Sequence, residues 1–195
     1  ATVICIIRIG STIDHFSNIV DEPFHIGAAV SLYDVGKLTV GSESPPVARL
    51  VPGLPLALSG VHLPTAYQNR TVINTADSAD VGASVLLDSP VGYWPILHRA
   101  RLAMLVFPII ALSYVYRIAA WLIGDVAAAL SVVFFSLDPT LLGHGAWIAT
   151  DAPACAMFLV AGYHGSRWCL FHRRDTASCA LAAGASLAVA LATKY

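Results

Sequence analysis

The sequence predicts an all-α integral membrane protein: a multi-span helical bundle with interfacial helices in the first outer loop. Three observations carry this. Of 195 residues, 57% are hydrophobic and only 12% charged, where a soluble domain has ~45–50% and ~25%; so few charges cannot coat a soluble globule of this length. The mean hydropathy is +0.71, whereas disorder needs low hydrophobicity and high net charge. The apolar residues then gather, beyond Arg101, into runs approaching or reaching the ~20 residues that cross a bilayer. A net charge of −1 provides no basic footprint for nucleic acid.

Residues 1–13 read as the tail of a first transmembrane helix, because the apolar stretch Thr2 to Ile9 is too short to span. Together with the missing initial Met and the stop at Lys194-Tyr195, this reads as a piece of a longer polytopic chain. Residues 14–101 form an outer loop, with most of the acids and eight prolines. Within it, Glu22 to Val35 has helical apolar spacing, with Asp21 as N-cap and Pro23 in the first turn. Pro45-Pro46 starts a second helix with Val47, Leu50, Val51 and Leu54 on one face. Both helices are expected to lie along the membrane interface. Thr65 to Pro90, rich in Gly, Ser, Asn and Asp, reads as an exposed loop, and its Asn69-Arg70-Thr71 is a glycosylation sequon.

Residues 102–195 hold four transmembrane segments, the last truncated. Leu102 to Ile123 is the first, ended by the turn Gly124-Asp125. Val126 to Leu137 is interrupted at Asp138-Pro139. Thr150 to Phe171 is the third, and Ala177 to Tyr195, rich in Ala and Gly, suits close helix packing. Arg117, Arg167, Arg173 and Arg174 mark the cytoplasmic ends, which puts 14–101 and the 138–151 connection on the outer or lumenal side. Cys5, Cys155, Cys169 and Cys179 show no metal or disulfide spacing and read as buried thiols.

Several residues carry candidate chemistry. Asp21-Glu22 places two carboxylates at a helix start, where one can take a proton or hold a metal; the same acids also complement a helix dipole. Glu43 precedes the Pro-Pro helix start. Asp138 to Gly145 and Thr150-Asp151 form a polar break between membrane helices, tolerated only against protein or water, and an acid there is a functional candidate. His144 is a ligand or base, or a structural donor. Arg99, Arg101 and Lys194 fall on the side of Asp21, as phosphate contacts or as snorkelling interfacial bases.

The order of these segments resembles a known family. Asp21-Glu22-Pro23-Phe24-His25 is similar to the outer-loop motif of the glycosyltransferase C superfamily, in the branch of protein O-mannosyltransferases and aminoarabinose transferases. Glu43-Ser44-Pro45-Pro46 resembles its Glu-His-Pro-Pro or Glu-Lys-Pro-Pro. Ala100-Arg101-Leu102 is similar to its second-helix start. Asp138 to Gly145 with Thr150-Asp151 is similar to its Ser-Pro-Asn-Leu-Leu-Ala-His-Gly with Thr-Asp. Ala192-Thr193-Lys194 resembles its Leu-Thr-Lys helix end. The resemblance covers most of 21–195 and the N-terminal part of the family's length.

It implies an enzyme that moves a sugar from a polyprenyl-phosphate carrier to an acceptor hydroxyl of a protein or lipid, on the outer or lumenal face of a bacterial plasma membrane or eukaryotic ER membrane. By resemblance, Asp21 is the general base and Glu22 its neighbour, orienting substrate or base. Glu43 matches a glutamate that helps hold a divalent metal ion in some relatives. Arg101 and Lys194 are the carrier-phosphate contacts, and Asp151 and His144 organise the substrate site. Ser44 stands where relatives carry His or Lys, and Ala146 where they often carry Arg, so two cationic or imidazole groups are missing. The alternatives are a polytopic transporter or flippase-like protein, with Asp151 and the Asp138-Pro139 break lining a pathway, and a non-catalytic relative.

Overall fold

In the computed structural model, residues 1–36, 40, 46–68, 75–170 and 176–194 are described. They form eleven helices and no β-strand among the described residues. The all-α expectation holds. The chain divides into two compact units: one of residues 10–104 with 146–149, the other of residues 1–9, 105–145 and 150–195.

The first unit is built around α2 (Glu22–Val35). Its bounds match the sequence expectation: Pro23 fits the first turn, and Gly36, at φ +69, closes the end in the left-handed conformation that glycine adopts without strain. Asp21, however, makes no side-chain cap bond; Glu22 instead accepts the Ile19 N–H from the chain that enters the helix. Nor is α2 a one-sided surface helix. Ile26 to Ser31 are buried without a break, because this run of small and branched residues packs on every face.

Within this unit α3 (Val47–Leu58) and α5 (Thr75–Asp88) pack on α2, and α6 (Tyr93–Met104) packs on α3. α3 follows Pro46 as expected, but its inward face is Ala48, Arg49, Pro52, Gly53 and Leu56. Leu50, Leu54 and Leu58 face outward. Gly53 decides this: a β-carbon there would sit 2.6 Å from the Tyr33 ring, so only the small-residue face can meet α2. The expected loop at 65–90 is corrected in part: besides the short α4 (Thr65–Gln68) it contains α5, which buries Ser78, Val81, Val85 and Leu86. Its buried stripe is narrow, and its polar face dominates the composition. Asn69 to Thr71, the sequon, lies outside the described residues.

α2 and α5 cross at glycines. A β-carbon on Gly27 would lie 2.9 Å from the Gly82 nitrogen, and one on Gly82 would run into the Pro23 carbonyl. Backbone meets backbone, and neither side can rotate away.

The second unit contains α7 (Val106–Ile123), α8 (Asp125–Ser136), α9 (Pro139–His144), α10 (Asp151–Leu170) and α11 (Thr176–Lys194), with α7 packed on α8 and α10, and α10 on α11. The start of α1 (Thr2–Thr12) also belongs here, and Ile9 lies where a Gly145 β-carbon would be, at 2.9 Å. Two helical stretches among the described residues are long and apolar enough to cross a membrane, Tyr93–Ile123 and Ala177–Lys194. α8, at 12 residues, reaches only ~18 Å at ~1.5 Å per residue. α10 has 20 residues, a length that spans, but Asp151, His164 and Arg167 dilute its hydropathy. Of the four cysteines, all free, only Cys5 is buried; Cys155 and Cys169 are exposed, because they lie on outward faces of α10.

Gly82→Ala is expected to destabilise the first unit by at least the ~1–3 kcal/mol typical of overpacking, because the obstacle is backbone. A lowered midpoint in thermal unfolding checks this; an unchanged midpoint refutes the crossing.

Candidate functional site

Each unit brings together part of the predicted site. In the first, the start of α2 is held by a buried ion pair. Arg101, at the end of the α6 stripe Ile96, Leu97, Ala100, Met104, is 1% exposed and Glu22 is 0% exposed. Arg101 Nε donates to Glu22 Oε1 at 2.8 Å and Nη2 to Oε2 at 2.6 Å. This is the two-pronged geometry that guanidinium and carboxylate adopt best. Nη1 donates to the carbonyls of Ile13 (2.6 Å) and Phe16 (2.8 Å), and Nη2 also to that of Ser17 (2.9 Å). All five N–H groups of Arg101 are thus engaged. Glu22 in turn accepts the backbone N–H of Ile19 at 2.9 Å and of Ile148 at 3.2 Å.

This geometry bears on two sequence expectations. Arg101 has no donor left for a carrier phosphate, because it ties residues 13–17 to α2. Glu22 does not face a substrate, because both oxygens are spent on Arg101 and two amides. Asp21, one residue earlier, is exposed. Its carboxylate is the member of the pair open to solvent, on a backbone that Glu22 fixes. Nearby chain is fixed as well: Asn18 N–H donates to the Tyr93 hydroxyl (2.7 Å), which donates to Asn18 Oδ1 (2.8 Å).

Sequence reasoning missed a groove in this unit. Asp14, Trp94, Pro95, His98 and Arg99 line a cavity of about 400 Å³. His98 Nδ1 is 2.7 Å from an Asp14 oxygen, and Arg99 is exposed. The signal was present: Trp94 and His98, and Pro95 and Arg99, are four apart on α6, off the apolar stripe. Glu43, the expected substrate or metal contact, lies outside the described residues. Among the described residues no three His, Cys, Asp or Glu side chains converge for a metal ion.

In the second unit, Asp138 caps α9 by accepting the Leu141 N–H at 2.9 Å, with Pro139 next in the first turn. The polar interruption is therefore a short capped helix. His144 ends it, exposed, its Nδ1 3.1 Å from the Thr140 carbonyl. Asp151 opens α10 and meets Lys194 at the end of α11: Nζ lies 2.7 Å from Oδ1 and 3.3 Å from Thr150 Oγ1. The pair is exposed, at 39% for Lys194 and 66% for Asp151. Beside it is an apolar cavity of about 260 Å³, lined by Phe135, Asp138, Leu141, His144, Asp151 and Cys155. His144, Asp151 and Lys194 thus belong to one end of this unit, with Asp151 and Lys194 in direct contact.

The two ion pairs differ chemically. A buried pair breaks at a cost of about 3–5 kcal/mol, because one charge is left unsolvated. An exposed pair contributes little and exchanges partners readily. Lys194 can release Asp151 for another anion; Arg101 cannot release Glu22.

No protein-family model, curated protein or solved structure matches the chain.

Glu22→Gln is expected to lower stability by about 3–5 kcal/mol, seen as a large drop in unfolding midpoint, whereas Lys194→Gln leaves the midpoint unchanged. Equal midpoints for both variants would contradict the assignment of Glu22 and Arg101 to the scaffold.

Proposed function

We propose that the chain works as a multi-pass membrane glycosyltransferase, transferring a sugar from a polyprenyl-phosphate carrier to an acceptor hydroxyl of a protein or lipid on the outer or lumenal face. The observation that carries the reading is the start of α2. An exposed carboxylate, Asp21, stands on a backbone clamped by a buried, fully satisfied ion pair. Such a rigid, accessible acid suits proton removal from a weak hydroxyl nucleophile.

In the proposed reaction Asp21 takes the acceptor hydroxyl proton as that oxygen attacks the anomeric carbon. The bond from that carbon to the carrier oxygen breaks, and its electron pair leaves with the phosphate. The configuration inverts. The leaving phosphate needs a cation where charge develops. Arg99, accessible in the same unit as Asp21, takes that role in place of Arg101.

The membrane part of the reading draws on the second unit's surface. Leu122, Ile123, Val126, Phe134, Leu170 and Leu181 are each more than 60% exposed, and the α11 window is only 17% buried. Apolar surface on this scale is covered by lipid or by another protein. In the first unit, the outward leucines of α3 at 50, 54 and 58 fit an interfacial helix.

The test is transfer by the purified protein reconstituted with polyprenyl-phosphate sugars and candidate acceptors. Asp21→Asn is expected to lower the transfer rate by ~10²–10⁴-fold with an unchanged unfolding midpoint. Undiminished transfer removes Asp21 as the base. Sugar-carrier movement across the membrane without transfer favours the transporter.

A further inference from the structure

One cluster in the second unit has no part in this chemistry. It lies at the other end of α10 from Asp151: Arg167 is 16 positions along the helix, ~24 Å at ~1.5 Å per residue. Here the C-terminal parts of α7 and α10 meet through aromatic groups. The Tyr114 hydroxyl and His164 Nε2 share a hydrogen bond of 3.1 Å. The Tyr114 and Tyr163 rings meet edge to face at 5.6 Å. Onto this platform fold two guanidinium groups: Arg117 lies 5.4 Å from the Tyr114 centroid; Arg167 lies 5.7 Å from that of Tyr163 and donates to its hydroxyl at 3.2 Å.

A snorkelling arginine extends toward water, away from its neighbours. These two are instead drawn back over rings from two helices, a placement that fixes the planar group. Arg117 is exposed, and among the described residues no carboxylate pairs with it. Asp125 nearby in the chain takes the Tyr116 hydroxyl instead. Arg117 also lines, with Ala1 and Thr2 beside α1 and with Leu112, Ala129 and Val132, a cavity of about 690 Å³ bordered by α1, α7 and α8. That volume is in the range of small-molecule sites, and most of this lining is apolar.

We infer that this end of α7 and α10 is a binding site for an anionic phospholipid, with its phosphate on Arg117 and Arg167 and an acyl chain entering the cavity bordered by α1, α7 and α8. Guanidinium groups bind phosphate oxygens in pairs, and Tyr at the headgroup level is favoured at membrane interfaces. The apolar cavity beside Arg117 distinguishes a lipid from a free anion, for which a charged surface suffices. The inference rests on the membrane reading and is independent of the transfer reaction.

The experiment reconstitutes the protein in phosphatidylcholine vesicles holding a minor fraction of spin-labelled phosphatidylglycerol or spin-labelled phosphatidylcholine. Electron spin resonance then reads the motionally restricted fraction. The expected result is a preference for phosphatidylglycerol that weakens with salt and falls about fivefold on Arg117→Gln, as for the loss of one arginine at an anionic surface. A further fall is expected on adding Arg167→Gln. Equal association of the two lipids with the wild type overturns the site, and so does a preference that both substitutions leave intact. Inorganic phosphate that displaces the lipid label at matched concentration overturns the lipid assignment in favour of a soluble anion. Asp21→Asn should keep the lipid preference, so failure of the transfer reaction and failure of this site are read separately.

Discussion

One buried fork, Glu22 to Arg101, governs the first unit. Two opposite charges out of water are costly unless every remaining lone pair and proton is satisfied. Here five donors of Arg101 meet five acceptors, and Glu22 receives two further amides. That completeness links four pieces of chain: the 13–17 turn, the start of α2, the end of α6 and Ile148. The fork therefore supplies the register that hydrophobic burial, which is non-directional, does not specify.

The same fork explains why adjacent acids have different fates. Glu22 is drawn inward because Arg101 reaches it; Asp21, one residue earlier, points elsewhere and stays in solvent. One carboxylate becomes scaffold while the other stays open to solvent. In the second unit Asp151 and Lys194 also pair across helices, but in solvent, where the pair is weak and reversible. Burial, rather than charge, separates a structural cation from one open to a substrate.

The second unit distributes its apolar residues the other way round. Beside Phe107, Leu112 and Val132, its inward contacts rely on small residues such as Ala128, Ala154, Ala156 and Ala190, while many other leucines, valines and phenylalanines point outward. Small residues let helix backbones approach, while many large apolar ones stay exposed. Polar groups then collect at the ends, Asp151 with Lys194 at one and the Tyr114–His164 platform with its arginines at the other.

Much of the fold was legible in the sequence. Low charge and long apolar runs gave the all-helical class, and the Asp-Glu-Pro start with its apolar spacing gave α2 to the residue. The Asp138-Pro139 break was legible as a polar interruption, though a side-chain cap turns it into a short helix. α5 was not legible, because only a narrow stripe of it is buried; nor was the inward face of α3, which depends on Gly53 admitting the Tyr33 ring. At the candidate site, Asp21, Asp151 and Lys194 could be singled out by residue type and position. Which of the acids and bases are spent could not, since hydrogen bonds between residues 79 positions apart leave no local pattern. The sequence by itself determined an apolar, helical chain with acids and bases at its helix ends. Only the tertiary structure decided that Arg101 and Glu22 neutralise each other inside while Asp21 and Lys194 remain reachable, because solvent access is set by what packs around a group, and local sequence does not encode that packing.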